Sequence, residues 1–64
     1  MNNLKVIREA AGIAQAELAR LIKANRTYIN ELESGKNKNP SLGKARLIAY
    51  YLKVDVDQIF PLEK

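Results

Sequence analysis

The chain contains no cysteine and no histidine. Without cysteine, no disulfide supports the fold and no thiolate can hold a metal. Without histidine, the commonest general base and the commonest metal ligand are both missing. Nucleophiles are scarce as well: serine occurs only at 34 and 41, and threonine only at 27. None has a basic neighbour in sequence placed to activate it. The carboxylates are scattered and form no catalytic pair. These absences argue against an enzyme, a metal site, a cofactor or a small-molecule ligand. Apolar runs are only a few residues long, so no segment reads as a membrane span or a signal peptide. The lack of cysteine fits a reducing compartment, and the expected location is cytoplasmic.

What remains is a basic, helix-patterned chain of 64 residues, read as one domain over 1–64. A chain this short buries only about 60% of its unfolded surface, so its stability is marginal. The net charge is +4, and it is unevenly placed. Between Arg20 and Arg46 there are seven basic and two acidic residues; elsewhere there are four basic and five acidic. The positive charge thus sits on the middle of the chain, where a polyanion would bind, unless it is only a solvated surface.

Helical periodicity dominates and strand-like alternation is nearly absent, which predicts an all-α fold. The first helix spans about Asn3 to Ala11 and stops at Gly12, which tolerates left-handed geometry. The second spans about Gln15 to Ile22. After a short break at Lys23-Ala24-Asn25, a third helix begins with Asn25 as N-cap and ends near Ser34-Gly35. Lys36 to Pro40 is a polar, basic loop. A fourth helix spans about Ser41 to Leu52, with Leu42, Ala45, Ile48, Ala49 and Leu52 on one stripe. Asp55 opens a fifth, to about Phe60, with Gln58 completing a capping box and Pro61 as the stop.

Residues 15–34 therefore read as helix, tight turn, helix, the layout that sets side chains on DNA base edges. On the third helix, Asn25, Ile29, Leu32 and Glu33 fall on one side at about 100° per residue. On the first, Leu4, Ile7 and Ala11 share a face with Arg8. Two opposite charges therefore lie on core-facing edges. They either pair, at least partly buried, or snorkel to solvent at the core margin. Pairing is the expectation. Ala19 is the small residue on the second helix where the third would cross closely.

The opposite edge of the third helix carries Thr27, Asn30, Glu31 and Ser34, with Arg26 in the first turn. Arg26 can pair bidentately with guanine and Asn30 with adenine, while Thr27 can touch a thymine methyl. Glu31 either accepts from cytosine or is solvated surface. Tyr28 either reaches a phosphate or packs on the second helix.

Three stretches then resemble the Cro/C1-type helix-turn-helix family: Gln15 to Ala19, Asn25 to Lys36, and Asn39-Pro40-Ser41-Leu42. The closing Ile48 to Phe60 is also similar to that family's last two helices. The likeness runs from about Leu4 to Phe60. It implies a compact five-helix domain and a sequence-specific regulator of double-stranded DNA. It implies base reading by Arg26, Thr27 and Asn30, with Glu31 open. It implies phosphate or backbone contacts from Gln15, Ser34, Lys36, Lys38, Asn39 and Ser41. Gln15 would also brace the third helix, and the Arg8–Glu33 bridge is implied a second time. The sequence departs from the family pattern at Ala14, usually serine or threonine, and at Lys23, usually glycine. The Lys36 to Asn39 loop is one residue longer than the commonest form.

Such proteins usually act as homodimers on palindromic operators. Tyr50, Tyr51, Val56, Phe60 and Leu62 offer apolar surface for that interface, or finish the core. Nothing in these residues resembles a sensory domain, so control is expected through concentration, competition or partner binding. Repression by blocking polymerase is the simplest mechanism. The alternative is a helical protein-interaction module, such as an antitoxin-type partner, in which DNA binding is secondary or lost.

Overall fold

Helix ends are set by specific local chemistry, and that chemistry places the rest. A computed structural model describes residues 2–38 and 40–61. Among them the elements are α1 (Leu4–Ala10), α2 (Gln15–Leu21), α3 (Arg26–Ser34), α4 (Leu42–Leu52) and α5 (Val56–Ile59), with no strand. The predicted bounds differ by a residue or so at each end, as fraying ends do. Asn39 and Leu62 lie outside the described residues.

α1 ends in a Schellman motif: Gly12, at φ 74°, donates to Glu9 and Ile13 donates to Arg8. α2 closes the same way, with Ala24 donating to Ala19 at 2.8 Å, but the left-handed position is Lys23, at φ 58°. The expected departure from glycine is therefore real, and it places a side chain where one costs about 1–2 kcal/mol. Lys53 repeats it at the end of α4, with φ 60°. α3 starts where predicted, with Asn25 Oδ1 accepting from Tyr28 N–H at 2.8 Å. Ala14, the N-cap of α2, is in extended geometry and gives no side-chain cap. At α5, Gln58 Oε1 accepts from Asp55 N–H at 2.9 Å, the reciprocal half of the expected box.

The core is aliphatic. Leu4, Leu18, Ile22, Ile29, Leu32, Ile48 and Ile59 are fully buried. Ala19 is buried against α3, so the small residue does allow the close crossing. The N-terminal asparagines tie distant elements together. Asn2 Nδ2 donates to the Leu32 carbonyl at 2.7 Å, Asn3 Nδ2 to the Gln58 carbonyl at 2.9 Å, and Asn3 N–H to the Ile59 carbonyl at 2.9 Å. All three acceptors lie at helix ends, and the Leu32 carbonyl also accepts from Gly35 N–H at 3.4 Å.

Two expected core residues are not in the core. Leu42 is 63% exposed, although its wheel position matches that of buried residues. It sits in the first turn of α4, where no neighbouring helix covers the stripe. Ala11 is exposed for a similar reason, as the C-cap of α1. Among the proposed interface residues, Tyr50 is 74% exposed and meets Tyr51 edge-on at 5.2 Å. Tyr51, Val56 and Phe60 are half-buried against the core, so much of their apolar surface is already used.

Candidate nucleic-acid interface

α3 is amphipathic by construction. Ile29 and Leu32 are fully buried, and Tyr28 packs half-buried against the same cluster. Turning the helix by about 100° per residue puts Thr27, Asn30 and Ser34 on the other side, with Arg26 at the margin in the first turn, and all four are exposed. The edge expected to read bases thus projects from a helix whose opposite edge is fixed in the core.

Glu33 fixes that orientation with charge. Its carboxylate pairs with the Arg8 guanidinium, and their side chains are only 5% and 9% exposed. Arg8 Nη1 also donates to the Ile13 carbonyl at 2.6 Å, which anchors the loop before α2. The expected bridge is therefore formed and buried, and snorkelling is excluded. Both charges have hydrogen-bonded partners, the condition under which buried charge is tolerated.

Gln15 stands at the start of α2 beside this pair. Its Nε2 donates to Glu33 Oε1 at 2.9 Å, and its Oε1 accepts from Arg26 Nε at 3.2 Å. It braces α3 from both ends of its amide.

The remaining candidates divide by what they already touch. Glu31 approaches Lys36 Nζ at 3.9 Å, an exposed contact of small energetic weight. Ser34 Oγ donates to the Glu31 carbonyl at 3.3 Å and accepts from Lys36 N–H at 3.4 Å, so it shapes the end of α3. Ser41 is the N-cap of α4, its Oγ accepting from Lys44 N–H at 3.2 Å. As an acceptor there, it keeps its hydroxyl proton for an outward partner. Lys36 and Lys38 are exposed at the loop after α3.

Two lysines have roles that sequence reasoning missed. Lys5, on α1, lines a shallow groove with Gln15, Asn30, Glu33 and Ser34. It lies one turn before Arg8, which faces Glu33, and that spacing was the available signal. Lys44 Nζ donates to the carbonyls of Ile22 at 2.7 Å and Lys23 at 3.3 Å. It therefore clamps the turn between α2 and α3, a contact 21–22 residues away in sequence that no local pattern reveals.

No helix among the described residues is long and apolar enough to cross a membrane. No curated protein matches the chain. Comparison with protein families matches the helix-turn-helix family over residues 4–59, which spans all five helices. The match covers most of the chain and agrees with the turn geometry at Lys23 and the exposed edge of α3. The chain belongs to the Cro/C1-type helix-turn-helix family of DNA-binding regulators.

Proposed function

We propose that this protein binds specific double-stranded DNA sequences through α3 and represses transcription as a homodimer on a palindromic operator. The carrying observation is the two-edged α3: Ile29, Leu32 and Glu33 held inside, Arg26, Thr27 and Asn30 exposed outside. A fixed helix presenting guanine-, adenine- and methyl-directed side chains suits the major groove. Lys36, Lys38 and Ser41 flank it and suit phosphates, as does Asn39 on the family pattern, and Tyr28 lies to the side of the helix with its hydroxyl suited to a phosphate. Lys5 extends the same face from α1. Glu31 shares its charge with Lys36 and is the weakest member of the reading set.

Repression follows from occupancy of a site that polymerase needs. Dimerisation would double the contacts and impose two-fold symmetry on the operator. Its best support is Tyr50, 74% exposed, with Leu47 one turn earlier and 39% exposed. Tyr51, Val56 and Phe60 would contribute only their outer edges.

The test is selection of bound sites from random duplex DNA, followed by binding against salt. A palindromic consensus and a steep negative slope of log affinity on log salt are expected. Arg26→Ala should cost about 1–3 kcal/mol and relax preference at one base pair. Lys38→Ala should weaken all sequences alike. A salt-independent affinity, or selection without consensus, would refute the reading. Sedimentation showing only monomer at high micromolar concentration would refute the dimer.

A further inference from the structure

Lys44 is out of place on its own helix. It is the third residue of α4, where the partial positive charge of a helix start disfavours an ammonium. Its N–H is held by Ser41 Oγ at 3.2 Å, and its side chain crosses to the far end of α2. There Nζ donates to the carbonyls of Ile22 at 2.7 Å and Lys23 at 3.3 Å. Those carbonyls close α2, at the end whose partial negative charge favours a cation.

The same turn holds Lys23 left-handed, at φ 58°. A side chain there is strained, and such a conformation persists only where the surroundings over-determine it. Two restraints do so here. One is the bond from Ala24 N–H to the Ala19 carbonyl at 2.8 Å, which depends on residue 23 being left-handed. The other is the Lys44 ammonium, whose charge-assisted bonds are of the same order as the strain. The chain leaves this turn directly into α3, with Asn25 as its cap and Arg26 and Thr27 next. Relaxation at residue 23 would change the direction in which α3 starts.

We infer that Lys44 is a positioning residue for recognition. It does for the α2–α3 turn what glycine at residue 23 would do, and so sets how Arg26 and Thr27 meet the base pairs. This rests on the proposed reading of those two residues as base contacts. It also makes Lys23 and Lys44 interdependent: the ammonium matters because residue 23 carries a side chain.

The experiment uses the full chain and the duplex site it selects, with that site changed at single base pairs. Arg26→Ala and Thr27→Ala first identify the base pairs whose discrimination they lose. The readout is the ratio of affinities for the selected and changed sites. A smaller folded fraction, or a lost phosphate contact, divides both affinities alike and leaves that ratio unmoved. Lys44→Met keeps the aliphatic stem and removes the ammonium. It should lose roughly three- to ten-fold of discrimination at those base pairs.

Adding Lys23→Gly should restore the ratio, since glycine holds the turn without the clamp. Lys53 is the control, because it is left-handed too, at φ 60°, but at the other end of α4. Lys53→Gly should add stability to Lys44→Met without restoring discrimination.

Equal weakening of all sequences by Lys44→Met, with the ratio kept, would overturn the inference and leave Lys44 a stabilising clamp only. Rescue by Lys53→Gly as complete as that by Lys23→Gly would overturn it too, since general stability would then suffice. If Lys44→Met alone does not fold, the Lys53→Gly/Lys44→Met and Lys23→Gly/Lys44→Met variants decide between them. If Arg26→Ala and Thr27→Ala leave discrimination intact, the base-reading assignment fails and the positioning role falls with it. That outcome is visible in those two arms alone.

Discussion

Glu33→Ala removes the only charge partner that is buried beside Arg8 among the described residues. The two side chains are 5% and 9% exposed. After truncation, Arg8 keeps its 2.6 Å bond to the Ile13 carbonyl but loses the carboxylate. Glu9 lies 4.0 Å from Arg8 Nη2, yet it is 58% exposed and compensates only in part. Removing one partner of a buried pair costs about 3–5 kcal/mol, because the remaining charge is stranded. With Glu9 nearby, the lower end is expected, about 3 kcal/mol. A domain of this size holds roughly 3–10 kcal/mol in total, so a third or more of its stability would go. Urea denaturation followed by far-ultraviolet circular dichroism measures it. With a slope of about 1 kcal/mol per molar, the midpoint should fall by about 3 M. The double variant Arg8→Met/Glu33→Leu should recover most of the loss, since the penalty lies in the orphaned charge and not in the missing pair. A loss below about 1 kcal/mol for Glu33→Ala, the range of exposed pairs, would refute the reasoning.

Ala14→Ser should supply the missing N-cap of α2 and add about 1 kcal/mol, raising the melting temperature by roughly 4–8 °C. An unchanged or lower value in differential scanning calorimetry would contradict the start of α2 at Gln15. Lys23→Gly should relieve left-handed strain and stabilise by about 1 kcal/mol, while reducing affinity for DNA of any sequence. A stability loss in urea, or a sequence-selective loss of affinity, would contradict it. Lys44→Met should cost about 1 kcal/mol by leaving the Ile22 carbonyl without its ammonium donor. Amide hydrogen exchange should show the loss as faster opening at the end of α2.

Much of this fold could be read from local pattern because local chemistry causes it. Gly12, Asn25 and Asp55 mark helix ends through conformations and caps that depend on near neighbours. The Arg8–Glu33 pair was legible because the wheels placed both charges on apolar edges, and a buried charge requires a partner. Angular position tells which way a residue faces, but not whether anything covers it. That is why Leu42 was expected inside and is exposed. It is also why Tyr51, Val56 and Phe60, read as interface, are partly consumed by the core. The bonds from Asn2 to Leu32 and from Lys44 to Ile22 join residues 30 and 22 positions apart, and no period of the sequence encodes them. On the candidate site, Arg26, Thr27 and Asn30 were legible as an exposed edge. The direction of the Gln15 amide was not, because it depends on a set of four side chains from three helices.

α3 has nine residues, and isolated helices shorter than about 12–15 residues are marginal in water. Its conformation is therefore borrowed from the domain. Ile29 and Leu32 supply the burial, but apolar packing is non-directional and sets rotation about the helix axis only loosely. Directional bonds close that freedom. Asn25 caps the first turn, Arg8 and Gln15 hold Glu33, and Asn2 holds the Leu32 carbonyl. A slip by one residue would rotate the helix by about 100° and carry Thr27 and Asn30 out of the exposed edge proposed to read bases. Arg8 and Asn2 form no hydrogen bond with Arg26, Thr27 or Asn30, yet they hold the helix that carries those residues. Substitutions at Arg8 or Asn2 should therefore weaken recognition as well as stability, and the two losses should grow together.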